Sequence, residues 1–545
     1  MRSALSAVYH LLHTDQNEVE RLNFNLAHPF FRQAVARPEA IALSIEGQTW
    51  TYAELRGLAQ RIAAWLRASD DQPPARVGIL ASRTLETYAG ILGACWSGAA
   101  YFPISTKLPA ARLAEIFSRS QLDALIVDKA RLDLLSREML QSSAMRILAP
   151  ECDAIAAQSA RCGIRIESFH ALPAFDAADE PRFMDENALA YVIFTSGTTG
   201  VPKGVMISTG NVRNFINAIQ ARYRFRPDDR VAQPSEVSFD NSVFDLFNCW
   251  EAAAALYVVP QNQLLGPVKF LRENAITAWY SVPSFAVAMQ RMKMLRPGSL
   301  PALRYSAFAG EALPHATAEA WRTAASGSIV DCLYGPTETT VVCTGDRYSD
   351  EPHVTESRGI ISIGKPFPGM EAIIVDPALQ ALPPGQAGEL AFCGKQVAIG
   401  YLGDEAQTFS RFPQIDGRRW YLTGDLAVLD ESGRYHHMGR VDNQVKISGN
   451  RVELEEVEAQ LRIVLGSDTV AAVAWPMQHG TADKLIAFVS SPAKPIAEAG
   501  DALKDRLPTY MIPARIHQID EMPMNVNGKI DRKALYRMLD ENLIQ

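Results

Sequence analysis

The stretch Tyr191-Val192-Ile193-Phe194-Thr195-Ser196-Gly197-Thr198-Thr199-Gly200-Val201-Pro202-Lys203-Gly204 decides the reading of this chain. Its first four residues form an apolar run with the length and character of a buried strand. A loop of hydroxyls and glycines follows, closed by a lysine. Glycines let backbone amides turn inward, hydroxyls donate to phosphate oxygens, and lysine adds charge. An arbitrary Gly/Ser/Thr stretch reads as a surface turn. Here the strand before the loop and the lysine near its end point instead to a phosphate cradle. The register is not that of a Walker A loop, because Pro202 precedes the lysine and Gly204 follows it.

Working outward, strands and helices alternate. Tyr52 to Ala68 carries apolar residues at helical spacing, with Thr51 and Glu54 placed as a capping box. Arg76 to Leu80 reads as a buried strand, Leu85 to Cys95 as a helix, and Ala99 to Ile104 as the next strand. The alternation recurs at Ala124–Val127, Ala190–Phe194 and Ser328–Val330. Such alternation predicts mostly parallel sheets covered by helices. After about residue 355, short strands and turns such as Glu371–Val375 and Pro383-Pro384-Gly385 predict a smaller β-rich part. A boundary falls near Gly439-Arg440-Val441-Asp442, and the remainder has its own pattern: helix 453–464, strands 470–474 and 485–489, and a helix around Ala502. The expectation is an α/β protein: a large N-terminal domain of two mostly parallel sheets plus a β-rich subdomain, and a small α+β C-terminal domain on a hinge. The domains are expected at 26–440 and 441–545, after an N-terminal extension over 1–25.

Composition narrows the function classes. A chain of 545 residues is too long for one hydrophobic core. With 48% hydrophobic and 21% charged residues it is globular, not disordered or fibrous. The net charge of -8 provides no broad basic field for nucleic acid. The seven cysteines (95, 152, 162, 249, 332, 343, 393) lie singly, without the spacing of a zinc site or a disulfide framework. Acidic and polar residues from Asp15 to Glu18 interrupt any signal-like run, and no apolar stretch is long enough to span a bilayer. A cytoplasmic protein with no membrane partner is expected.

The phosphate loop resembles the signature of the adenylate-forming superfamily, and within it the free-standing amino-acid adenylation domains of nonribosomal peptide synthetase type. Other segments match that family in order along the chain. They are Trp50–Leu55, Ala94–Ser105, Phe239-Asp240-Asn241-Ser242, Ala309-Gly310-Glu311-Ala312, Tyr334-Gly335-Pro336-Thr337-Glu338-Thr339-Thr340 and Gly388 through Leu402. Then come Tyr421-Leu422-Thr423-Gly424-Asp425-Leu426, Gly439 to Ile447, Gly449 with Arg451–Leu454, Leu507–Pro513 and Asn527–Arg532. Leu422 stands where the family usually has arginine, while Asp425 is retained.

The resemblance implies a chemistry. A carboxylate is a poor electrophile, and adenylation supplies it with a leaving group. In-line attack on the α-phosphate joins two anions, so cations must offset the repulsion. Lys529 is implied as the central catalytic residue, bridging the substrate carboxylate and the α-phosphate. Glu338 is implied as the Mg²⁺ ligand, a role that suits a hard cation, with Thr195 as an additional candidate. Thr337 and Thr195 would donate to phosphate, together with Ser196, Gly197, Thr198, Thr199 and Lys203. Tyr334 would stack on adenine beside Gly310 and Glu311. Asp425 would accept the ribose hydroxyls, assisted by Arg440. Asp442 matches the hinge about which the C-terminal domain rotates, and Gly449 a thiol channel.

Asp240 matches the aspartate that pairs with an α-ammonium group, a buried charge that requires a partner. The family's pocket positions fall on Phe239, Asp240, Asn241, Phe244, Ser281, Ala307, Ala309, Leu333, Val341 and Val342, with Lys529. Most are small or apolar, which implies a small or medium neutral α-amino acid, with proline favoured among them. Because the chain ends soon after Lys529, the phosphopantetheine thiol is expected on a carrier protein acting in trans, with Arg532, Lys533 and Arg537 as a basic face for it. Two alternatives stay open: an acyl-CoA ligase of the same superfamily, and a non-catalytic ligand-binding relative.

Overall fold

The computed structural model describes residues 24–541 apart from 69–74, 136–144, 151–154, 156–157, 161–162, 165, 175, 177, 198–201, 265, 479–480 and 525–529. The extension 1–25 therefore lies almost wholly outside the described residues, as do Thr198, Thr199 and Lys529.

Two large sheets carry the N-terminal part. One has eight strands and is parallel through Leu189–Thr195, Ala100–Pro103, Arg76–Leu80, Ala124–Val127, Arg146–Ala149 and Ile166–Ser168. The other has nine strands and is parallel from Ile329–Tyr334 across Tyr305–Phe308, Ala278–Ser281, Arg230–Gln233 and Ala255–Val258 to Ile41–Ile45. Antiparallel strands finish the edges: Lys203–Ser208 and Gly400–Tyr401 on the first sheet, Gln48–Thr51 and Thr344–Arg347 on the second. Strands buried on both faces read as continuous apolar runs, which is why the sequence pattern exposes them.

Helices Tyr52–Arg67, Leu85–Ser97 and Asn241–Glu251 fill the space against these sheets. Their fully buried Tyr52, Tyr88, Trp96 and Trp250 belong to the largest hydrophobic cluster. The capping box at Thr51 forms: its hydroxyl accepts from the Glu54 amide at 3.2 Å, and the Glu54 carboxylate accepts from the Thr51 amide at 2.8 Å. The β-rich part is a four-stranded antiparallel sheet of Met370–Val375, Ala387–Gly394, Tyr421–Leu429 and Tyr435–Arg440. Beyond it the clusters separate. Residues from Ile447 onward pack among themselves, around helix Leu454–Leu465 and the strands Val470–Ala474, Leu485–Val489 and Arg515–Gln518.

The phosphate loop joins two antiparallel strands, with Thr195 opposite Lys203. The chain thus passes from one strand to its antiparallel neighbour, not from a strand into a helix. Cys95, Cys249, Cys332, Cys343 and Cys393 are buried and unpaired, and Cys152 and Cys162 lie outside the described residues. Among the described residues no helix is long and apolar enough to cross a membrane.

Candidate active site

Four strands of the two sheets end at one place. Thr195, Ser281 and Tyr334 end their strands, and Ala309-Gly310 follow directly on Phe308. Ligand crevices of open α/β sheets form outside the carboxyl ends of strands, because loops leave the sheet there. A cleft of about 940 Å³ opens at this edge, lined by Thr195, Ser196, Phe239, Asp240, Asn241, Gly310, Tyr334, Thr337, Val341, Asp425 and Arg440. Residues widely spaced in the sequence are therefore neighbours.

Asp240 occupies the N-cap position of helix Asn241–Glu251, yet its side chain makes no capping bond. Burial lifts its carboxyl to about 6, opposed by the donating Thr337 hydroxyl. The carboxylate is held in the cleft wall, poorly hydrated, and Lys446, which lines the same cleft, favours its charge against burial.

The opposite end is densely paired. One oxygen of Asp425 accepts from Arg440 Nη1 at 2.6 Å and faces His437 Nε2 at 3.2 Å, and the other accepts from the Tyr334 hydroxyl at 2.5 Å. Burial opposes ionisation of Asp425, but Arg440, helped by His437 and Tyr334, overrides it and holds the carboxyl far below the usual range. Arg440 also grips Asp442 through Nε at 2.6 Å and Nη2 at 2.8 Å. The hinge candidate is thereby tied to the ribose candidate through one guanidinium.

Glu338 sits in a short turn, Thr337–Thr339, after the Gly335-Pro336 corner and is fully buried. Its carboxylate accepts from Tyr401 at 2.9 Å and from Arg451 Nη1 at 3.0 and 3.3 Å. Burial works against its charge, but Arg451 outweighs it and keeps the group ionised. Among the described residues Thr195 Oγ1 is buried with no hydrogen-bond partner. An ionised carboxylate and a spare hydroxyl are donors that fit a hard divalent cation whose other ligands are phosphate oxygens.

Of the expected side-chain pocket, Phe239, Asp240, Asn241 and Val341 line the cleft. Ser281, Ala307, Ala309, Leu333 and Val342 are at most 1% exposed and lie below its surface. Phe244 stacks on Tyr280 with centroids 4.1 Å apart and, with Ala307, borders a separate cavity of about 220 Å³. Aromatic rings pack against this end of the cleft, where the Tyr280 hydroxyl donates to Asn241 Oδ1 at 3.3 Å.

Residues past Asp442 complete the cleft. Lys446, Gly449 and Arg451, from the hairpin of Gln444–Ile447 and Asn450–Glu453, line it together with Tyr510. Burial lowers the Lys446 pKa, while Asp425 and Glu311 act the other way. Lys446 and Arg451 escaped assignment from sequence, since a charge in a short hairpin reads as solvated. An adjoining cleft of about 1000 Å³, bordered by Lys107, Arg112, Ser238 and Asn450, meets the first at Thr195, Ser196, Phe239 and Tyr510. Arg532, expected on an exposed basic face, instead donates to Glu458 at 2.6 Å, while Lys533 and Arg537 are exposed. The reason is local: Glu458 is buried and needs a cation.

Residues 30–402 match the family model described as AMP-binding enzyme, and the chain belongs to that family. It is 33% identical over 534 residues to tyrocidine synthase 2 of Brevibacillus parabrevis, covering 96% of this chain and 14% of that protein. It is 31% identical over 514 residues to syringomycin synthase SyrB1 of Pseudomonas syringae pv. syringae, covering 91% of this chain and 79% of the relative. A crystal structure of the Vibrio cholerae adenylation domain AlmE, in complex with glycyl-adenosine-5'-phosphate, superposes with a TM-score of 0.86 at 31% identity, covering 95% and 98% of the two chains. The chain is thus an adenylation domain of the kind found in nonribosomal peptide synthases, although it spans only a small part of tyrocidine synthase 2.

Proposed function

We propose that this chain activates a small neutral α-amino acid with ATP as the aminoacyl-adenylate and passes the aminoacyl group to the phosphopantetheine thiol of a carrier protein acting in trans. The observation that carries the reading is Asp240, a buried carboxyl in the cleft wall whose charge is disfavoured by burial and would gain from an ammonium partner. A fatty or aryl acid has no group for it.

In the first step a carboxylate oxygen attacks the α-phosphorus, the bond to the β-phosphate oxygen breaks, and pyrophosphate leaves. Asp240 orients the ammonium end, and Asp425 with Tyr334 fixes the nucleoside. Lys529 is assigned the bridging of carboxylate and α-phosphate. When bound, Mg²⁺ neutralises phosphate charge, and Glu338 with Thr195 would hold it. For the second step we assign residues 26–440 as the core and 441–545 as the part that turns about Asp442. Gly449, on the first cleft, and Asn450, on the second, would border the path a thiol takes. The aromatic packing of Phe244 and Tyr280 beside Asn241 supports the small end of the range, glycine and alanine as well as proline, and the glycyl-adenosine-5'-phosphate in the AlmE structure is consistent with that end.

ATP–pyrophosphate exchange across the amino acids and a set of fatty and aryl acids tests this reading. Exchange with one or a few small neutral amino acids is expected. Exchange only with acids lacking the amino group would replace it with the acyl-CoA ligase reading.

A further inference from the structure

Buried acids need partners, and Asp229, Asp331 and Glu458 each hold an arginine, respectively Arg304, Arg222 and Arg532. Asp245 does not. It is fully buried in helix Asn241–Glu251, and among the described residues neither oxygen of its carboxyl has a hydrogen-bond partner. Burial alone pushes this carboxyl well above the usual range. Asp245 lines the cavity of about 220 Å³ that Phe244 also borders, and that cavity shares no lining residue with the cleft. Rings make up much of the wall. Phe244 stacks on Tyr280 with centroids 4.1 Å apart, and Tyr223 lies 5.3 Å from Tyr305, 6.0 Å from Phe225 and 6.1 Å from Phe244. Arg304 Cζ stands 4.7 Å from the Tyr305 ring centroid, so the cluster already carries one cation on a ring face. That guanidinium is committed to Asp229.

We propose that this cavity is a binding site for a small organic ammonium ion, with Asp245 as its counter-charge and the surrounding rings as its cage. Aromatic faces attract an ammonium through the ring quadrupole, and a desolvated site strengthens that attraction. The cation in turn favours the charged form of a carboxyl that burial keeps neutral. A hard metal ion is a poorer match, because it takes about six oxygen ligands. The Tyr280 and Tyr305 hydroxyls are bonded elsewhere, to Asn241 and to the Arg224 carbonyl. Of the five rings named, Phe225 is the one that is not buried, so a compact guest enters past it. The site stands apart from the cleft that reads the amino acid, and the ammonium is a free ion, not part of that substrate.

The test follows thermal unfolding of the full chain in methylammonium chloride, with sodium chloride and the bulky N-methylglucamine chloride at equal ionic strength as controls. A ligand that binds only the folded state raises the midpoint with its concentration. Methylammonium is expected to raise the wild-type midpoint by several degrees over both controls, and to give Asp245→Asn no such rise. Equal curves in all three salts overturn the proposal, as does equal protection of Asp245→Asn. Should that variant fail to fold, the wild type still decides. The methyl resonance of isotope-labelled methylammonium is expected to move upfield as protein is added, through the ring currents of the cage, and an unmoved resonance overturns the site. Pyrophosphate exchange separates this inference from the substrate reading. Exchange with ornithine or lysine, without protection by methylammonium, would put the ammonium on the substrate and overturn both. Failure of every amino acid to support exchange, with methylammonium still protecting, would remove the substrate reading alone.

Discussion

Asp240 illustrates how a side chain acquires a function from its surroundings. In the sequence it is one acidic residue before Asn-Ser, and turns are full of those. In the fold it faces a cleft, receives the Thr337 hydroxyl, and its carboxyl is pushed up to about 6 by burial. Below that pH the empty site holds it neutral and unable to pair an ammonium, and above it the charge is present. Apparent affinity for the amino acid should therefore be flat above pH 7 and fall roughly tenfold per unit below about 6. Asp240→Asn should lose this pH dependence along with most of the affinity, as pyrophosphate exchange from pH 5 to 8 would reveal. At Lys529 the expectation is a drop in adenylation rate of roughly a hundredfold or more for Lys529→Ala, since one charge contact at a transition state contributes about 3–4 kcal/mol. Single-turnover formation of the adenylate measures it.

At the scale of elements, the turn after strand Ile329–Tyr334 carries most of the site. Gly335 lets the chain double back so tightly that a Cβ there would lie 2.5 Å from Val342 Cα and 2.9 Å from the Cys343 nitrogen. Backbone cannot yield as a side-chain tip does. Gly335→Ala should cost about 1–3 kcal/mol of stability and displace Tyr334 and Thr337. Denaturant titration and nucleotide affinity would report the two losses, and affinity should suffer with little change in helix content. The strands and helices were legible beforehand, because apolar runs and capping residues are local signals. The capping box at Thr51 and the strand Arg76–Leu80 appear where the pattern put them. The stacking of Phe244 on Tyr280 next to Asn241 was not legible, since it joins residues from a helix and a distant strand.

For the whole molecule, the hydrophobic clusters part after Tyr435, and the contacts across that division at the cleft are polar: Arg112 with Glu456, Arg451 with Glu338, Ser196 with Arg451. Polar contacts of this kind can be exchanged for ligand without disturbing either core. Leu461, fully buried in the smaller cluster, should when changed to Ala cost about 2–5 kcal/mol there alone. Calorimetry should show one transition moving down by several degrees while the other stays. A single transition moving as a unit would mean that the two parts unfold together. The motifs around the cleft were readable from sequence as separate stations, each with its residue types. Their convergence was not, because it depends on the crossover of strands from two sheets to a common edge.

The sequence by itself determined the family, the strand and helix order and the residues that can carry phosphate, ribose and ammonium chemistry, because those depend on local composition and spacing. Only the tertiary structure decided which of them share a cleft, that Phe244 stacks on Tyr280 next to it, and that Arg451 and Glu456 contact Glu338 and Gly197. The loop quoted first is the case in point. Its glycines and hydroxyls announce an anion site in one dimension. The anion it holds here is a carboxylate more than two hundred residues away, a pairing that only long-range folding of a charged hairpin onto the loop could bring about.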